Sequence, residues 1–400
     1  MHHCGLYSPP MPRGSPSWGG DEVRAALAGV LVARTAVNAA IRVVYPFLPE
    51  IARGLGVSLG AVALLVALRS VAGMGGPAVA RLAERAGRRA LMLVATVVVA
   101  AGCLFVAGAA SLAGAAVGFA LCGVAKPLFD VPMQGWFGDR VPYGRRGRVL
   151  GITELTWALS LLVTVPLAGV LIAATSWRAP FVLVAALAVT GTAAVRGLIG
   201  PDRPHARTRR PLRLTGQHRA MLGVVLSFSM ASELLFVVYG AWLEDAFGLG
   251  VTAIGVFTLV VGASELAGEA GVAAVADRLG LRRSIFAGLF VSAAAYASLG
   301  AVGASLAAAV LVVVVWFVSF EVTIVASVPF VSELATESRD RLLGLMVATI
   351  AAGRALAAPF APAVYAAGGV AATGLVSAGL ALVAGALLHH VRSPVPTPGG

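Results

Sequence analysis

The chain has 400 residues, 59% of them hydrophobic and only 12% charged, with a mean hydropathy of +0.91. A soluble domain carries roughly 25% charged residues, so this chain cannot cover its surface with polar groups, and a membrane is the remaining environment. A formal net charge of +12 would suggest nucleic acid in a soluble protein; here the arginines crowd short loops between apolar segments, where lipid headgroups and membrane topology account for them, and no nucleic acid is expected.

Residues 1–20, rich in Pro, Gly and Ser, read as a disordered tail in which no removable signal peptide is legible. A membrane-crossing helix needs about 20 mostly apolar residues. Such segments fall near 25–47, 57–80, 90–110, 113–135, 149–173 and 178–199, and again near 220–243, 252–276, 284–304, 306–331, 342–366 and 369–390. The expected fold is therefore an all-α integral membrane protein of twelve transmembrane helices. These divide into a first six-helix bundle over 21–199, an arginine-rich central loop at 200–218, a second bundle over 219–390 and a tail at 391–400. Cys103 and Cys122 lie mid-span and Cys4 in the tail, so no disulfide framework is expected.

Orientation follows from arginine. With the N-terminus in the cytoplasm, 23 arginines fall on the cytoplasmic side and only Arg53 and Arg178 outside, so both termini are expected to be cytoplasmic in a cell (plasma) membrane. The two halves also repeat at an offset of 193 residues. Glu84-Arg85-Ala86-Gly87-Arg88-Arg89 returns as Asp277-Arg278-Leu279-Gly280-Leu281-Arg282-Arg283; Arg146, Arg148, Leu150 and Gly151 return as Arg339, Arg341, Leu343 and Gly344, and Pro166 as Pro359. A duplicated apolar chain is a candidate for a transporter whose halves rock against each other.

Two six-helix halves, each with a charged Gly-Arg-Arg loop after its second helix, resemble the major facilitator superfamily over about residues 25–390. Ala80 and Ala273 replace the first glycine of the family's loop pattern, Glu84 replaces its aspartate, and Leu281 adds a residue. Three stretches look like the drug/proton antiporter branch: Tyr45-Pro46-Phe47-Leu48-Pro49, the loop from Asp139 to Arg148, and Ser332-Glu333-Leu334 followed by Arg339 to Arg341. The branch's helix-five motif is half present as Val165-Pro166-Leu167-Ala168-Gly169-Val170, and Phe119 stands where exporters often carry an arginine. The resemblance implies that Glu84, Arg85 and Arg88, with Asp277 and Arg278, brace the cytoplasmic ends of the halves as a gate.

Eleven ionisable side chains fall within the spans, where each costs at least about 2.5–3.5 kcal/mol and needs a partner, water or a function. The first half holds Arg34, Arg42, Arg69, Lys126, Asp130 and Glu154; the second holds Glu233, Glu265, Glu269, Glu321 and Arg354. Arg34, Asn38 and Arg42 stand four apart on one face, which must line a cavity or pack on another polar helix. Lys126 and Asp130 can pair along one helix or meet substrate. Glu265 and Glu269 lie one turn apart, so at least one should hold a proton unless a cation sits beside it, and Arg354 is the nearest candidate by topology. They are the leading proton-coupling pair. Glu233 and Glu321 fit either proton carriage or substrate binding, and Glu154 fits a structural role. Trp157 and Trp316, both mid-span, fit packing or ligand stacking.

All six histidines lie in tails or the central loop, and no metal-ligand spacing appears, so an intramembrane enzyme is not expected, nor a cofactor. The expected function is secondary active transport of a small molecule by a monomer among membrane lipid. Proton-coupled efflux of an amphipathic metabolite or drug is the leading form, with symport or facilitated uptake of a polar solute as the alternative.

Overall fold

The computed structural model describes residues 20–202, 214–335 and 338–392, excepting the side chains at 77, 143, 144, 146, 147, 272–277 and 340. Every regular element among them is helical. The first half comprises α1 (Asp21–Arg42), α2 (Leu48–Leu55), α3 (Leu59–Ala72), α4 (Gly76–Ala86), α5 (Arg88–Ala107), α6 (Leu112–Arg140), α7 (Tyr143–Leu159), α8 (Val165–Ala174) and α9 (Ala179–Leu198). The second comprises α10 (Gly216–Phe247), α11 (Val251–Leu279), α12 (Leu281–Ser298), α13 (Leu306–Leu334), α14 (Arg339–Ala357) and α15 (Ala361–His389).

Local sequence explains the starts and breaks. Ser58, Ser111 and Ser305 each accept a hydrogen bond from a backbone N–H of the first turn, at 3.2–3.3 Å. Thr215 and His218 form a reciprocal capping box, which places His218 in the first turn of α10, buried, rather than in the central loop. Gly87 (φ 89°) and Gly280 (φ 79°) take the same left-handed conformation at equivalent joints of the two repeats, which a Cβ would strain.

Three features depart from the predicted spans. The chain leaves α1 at Arg42 and forms the short α2, which meets α3 at a bend of 113°. The second crossing is interrupted by a 3-10 turn at Gly73–Gly75 before Gly76-Pro77 restarts it. The fifth is interrupted by a π-turn at Ser160–Thr164, just ahead of Pro166, whose missing N–H removes a helical hydrogen bond. Among the described residues, ten helices are long and apolar enough to cross a membrane, or eleven if the bent pair counts as one span. α14 fails that test because it carries Arg339, Asp340, Arg341 and Arg354; with the start of α15, up to the break at Gly368 and Gly369, it covers the span expected at 342–366.

Helices α1, α5, α6 and α9 pack on one another, as do α10, α12, α13 and α15. The halves meet along two seams, α8 on α11 and α3 on α14, both densest away from the arginine-rich end. At the first seam a Cβ on Gly169 would lie 2.7 Å from Val251 O, and one on Gly255 3.3 Å from Gly169 Cα, so small residues set the approach of the backbones. A Cβ on Gly240 would collide with Pro46 O. At that same end Arg53 of α2 donates to both carboxylate oxygens of Glu244 (2.8 and 3.1 Å) and to Glu50 (2.8 Å). The halves are thus joined at the end opposite the arginine-rich loops.

Candidate functional site

The polar stripe on α1 divides between two uses. Arg34, almost fully buried, donates from Nε to Asp130 (2.9 Å), from Nη1 to Thr153 O (2.6 Å) and from Nη2 to Glu154 (3.0 Å). One turn on, Asn38 donates to Thr156 (3.0 Å) and accepts from Lys126 (2.7 Å), whose ammonium also pairs with Asp130 at 2.6 Å. Arg34, Asn38, Lys126 and Asp130 are therefore consumed in a network on α1, α6 and α7. The expected cavity role gives way to the other possibility, packing on polar helices. Glu154 has the structural partner expected of it, though its side chain is 48% exposed.

Arg42, one turn beyond Asn38, leaves that network. Its guanidinium lies 3.8 Å from the centre of the Trp157 ring and makes an ion pair with Glu265 of α11 in the other half. Trp157 is three residues from Glu154, on nearly the same face of α7, and this spacing is the only sequence signal for its role. Around Glu265 gather Glu269, one turn away, and Glu321 of α13; one carboxylate oxygen of each lies within 4.8 Å of the others. Glu265 is fully buried, Glu321 nearly so and Glu269 half-buried. Three oxygens at that spacing can hold a cation, a grouping invisible as linear spacing. Here the guanidinium of Arg42 takes one of the three carboxylates.

Two expectations are corrected. The cation beside Glu265 is Arg42, not Arg354. Arg354 instead lies 3.8 Å from Glu233 on α10, and Glu233 accepts from the Tyr45 hydroxyl at 2.9 and 3.2 Å. Glu233 therefore stands apart from the proton-coupling candidates it was grouped with. Arg69 belongs to this second cluster, donating to Ile41 O (3.1 Å) with its guanidinium 5.0 Å from the centre of the Tyr45 ring. Tyr45 was read only as part of a sequence pattern, and its hydroxyl contact is non-local.

Trp316 is buried, donates to the Tyr296 hydroxyl at 2.6 Å and packs on Phe236 and Phe317. Trp316, Phe236 and Phe317, with Arg42, Tyr45, Tyr239 and Trp242, line a narrow, mostly apolar pocket between the halves, with room for a water but not for an organic substrate.

At the arginine-rich end, Arg88 pairs with Asp139 and donates to Gly135 O, both on α6, and so ties α5 to α6 inside one half. Arg140 pairs with Glu22 at 3.0 Å and stacks on Trp136. Glu84, Arg85 and Arg278 are exposed at the ends of α4 and α11; the side chain of Asp277 lies outside the described residues.

A solved bacterial homolog of the human lysosomal transporter Spinster, in an inward-facing and occupied conformation, superposes with a TM-score of 0.73 over 94% of this chain and 97% of its own, at 15% identity. The fold is that of the major facilitator superfamily. The superfamily's sequence model matches residues 30–221, and an uncharacterized MFS-type transporter of Bacillus subtilis (strain 168), YwfA, is 26% identical, with 85% of each chain covered. These likenesses support a place in the superfamily and secondary transport of a small molecule. The chain is a multi-pass membrane protein and a transporter rather than an enzyme.

Proposed function

We propose that this major facilitator chain is a proton-coupled secondary transporter that exports a small amphipathic molecule by alternating access, in the manner of drug/proton antiporters. One observation carries the coupling: three buried or half-buried carboxylates, Glu265, Glu269 and Glu321, have among the described residues one guanidinium in contact, that of Arg42, which reaches them from the opposite half. Three anions facing one cation leave a charge of −2 inside the bilayer, which bound protons relieve at far lower cost than burial of the charges. On this reading Arg42 is the counter-ion of Glu265 in the joined state, and bound protons would serve the other two carboxylates. When the halves part at the Arg42–Glu265 contact, Glu265 loses its counter-ion and takes a proton in its place. The protonation of the trio thus depends on which end is open, and that dependence is the coupling.

The arginine bias supports cytoplasmic termini, with the Arg53–Glu244 contact on the far side. The seams that thin toward the arginine-rich end then favour loading from the cytoplasm, and the aromatic rings around Trp316 favour an amphipathic cargo. The half-present helix-five motif supports uptake of a polar solute by symport as the second reading.

A thermal-shift screen of metabolites and antibiotics supplies a cargo, and its flux is then followed in proteoliposomes under an imposed pH gradient. Export predicts accumulation against the proton flow, lost when the gradient is collapsed and in Glu265→Gln with Glu269→Gln. Flux indifferent to both treatments removes the proton role; accumulation along the proton flow selects symport.

A further inference from the structure

The second buried cluster has more donors than acceptors. A guanidinium offers five N–H groups, yet Arg69 makes one hydrogen bond, to Ile41 O, and faces the ring of Tyr45. Arg354 approaches Glu233 only at 3.8 Å, and its buried Nε has no hydrogen-bond partner. Both guanidiniums lie within electrostatic reach of Glu233, whose two oxygens already accept from the Tyr45 hydroxyl. Two cations thus face one occupied carboxylate. Arg34 differs sharply, with two carboxylates and a carbonyl for its donors; Arg42 also has a buried Nε without a partner, but its guanidinium is ion-paired in contact and covered by an indole face. Arg69 is buried, and Arg354 is 23% exposed with its Nε buried; leaving buried guanidinium donors without acceptors is costly, so an unfilled donor set of this kind calls for an acceptor-rich ligand.

The cluster is also placed for cargo. Tyr45 and Arg69 come from the first half, Glu233 and Arg354 from the second, and Tyr45 is a wall of the aromatic pocket that includes Phe236, Trp316 and Phe317. We infer that Arg69 and Arg354 form an oxyanion subsite for the carboxylate, sulfonate or phosphate of an amphipathic organic anion, whose apolar body lies against those rings once the pocket widens. Guanidiniums match such groups with paired, charge-assisted hydrogen bonds. Glu233 is the internal competitor, a carboxylate of the protein standing where the cargo's own would sit. The inference rests on the transporter reading and is independent of proton coupling.

The test is equilibrium binding to the full chain in nanodiscs at one pH, read by thermal shift and tryptophan fluorescence. Four probes share one ring: phenylacetate, benzenesulfonate, benzyl alcohol and benzylamine. The two anions should bind and stabilise the protein; the alcohol and the amine should not. Arg69→Gln and Arg354→Gln should each weaken anion binding by about tenfold or more, and Glu233→Gln should tighten it by about tenfold. Preference for benzylamine, or wild-type anion affinity in folded arginine variants, overturns the subsite. Should the arginine variants fail to fold, Glu233→Gln decides alone, because unchanged or weaker anion binding also overturns it. Anion binding accompanied by gradient-independent flux keeps the subsite and removes proton coupling; gradient-driven flux without anion binding does the reverse.

Discussion

The two halves share a frame and differ in how their buried charges are settled. In the first, Arg34, Lys126, Asp130, Glu154, Asn38 and two threonines close a network in which each charge has an opposite partner. In the second, Glu265, Glu269 and Glu321 crowd together with no cation of their own half in contact with them among the described residues, and borrow Arg42 from the other. A closed network rigidifies the bundle that holds it, whereas an unbalanced cluster at an interface changes its charge when the interface moves. The duplicated frame is thus symmetric while its buried chemistry is not.

The largest effect should come from Arg42→Gln, which strands Glu265 and empties the face of Trp157. Stability should fall by about 3–5 kcal/mol, as when one partner of a buried pair is removed, and coupled transport should be lost. Thermal unfolding in nanodiscs measures the first, and Glu265→Gln in the same chain should restore most of it; failure to do so would show that Arg42 acts by packing alone. Gly169→Val comes next, since its side chain would meet Val251 O and Gly255. The joined end should spring open, raising thiol labelling of Leu249→Cys several-fold. Arg34→Gln should cost about 1–3 kcal/mol through the acceptors it leaves unpaired, yet flux should still follow the pH gradient. Loss of that dependence would erase the contrast between the halves. Smallest is Arg53→Gln, an exposed pair expected to contribute under ~1 kcal/mol and to weaken further with salt.

Much of this was legible because it is local. Apolar runs of about 20 residues marked the crossings, and the repeat joined Gly87 to Gly280, whose matching backbone conformations express one constraint written twice. The i,i+4 spacing of Lys126 and Asp130 allowed either a pair along the helix or a substrate contact, and the pair is what forms. The partners of Arg42 and Arg354 were not legible, because α1–α11 and α14–α10 pairings are fixed by how whole helices dock, which no periodicity encodes. α2 escaped notice because eight residues with Glu50 and Arg53 look like a loop beside longer apolar runs. The π-turn at Ser160–Thr164 had only Pro166 as its herald, and a proline announces a disturbed helix without saying which kind.

The Arg42–Glu265 contact carries a consequence for energetics in a polarised cell. If each turnover separates that guanidinium from its carboxylate and a hydrogen ion arrives as the substitute, the cycle relocates charge through part of the electric field. Turnover should then be electrogenic, visible as a transient current on a solid-supported membrane and accelerated or slowed by voltage, at about 2.3 kcal/mol per elementary charge for each 100 mV fully crossed.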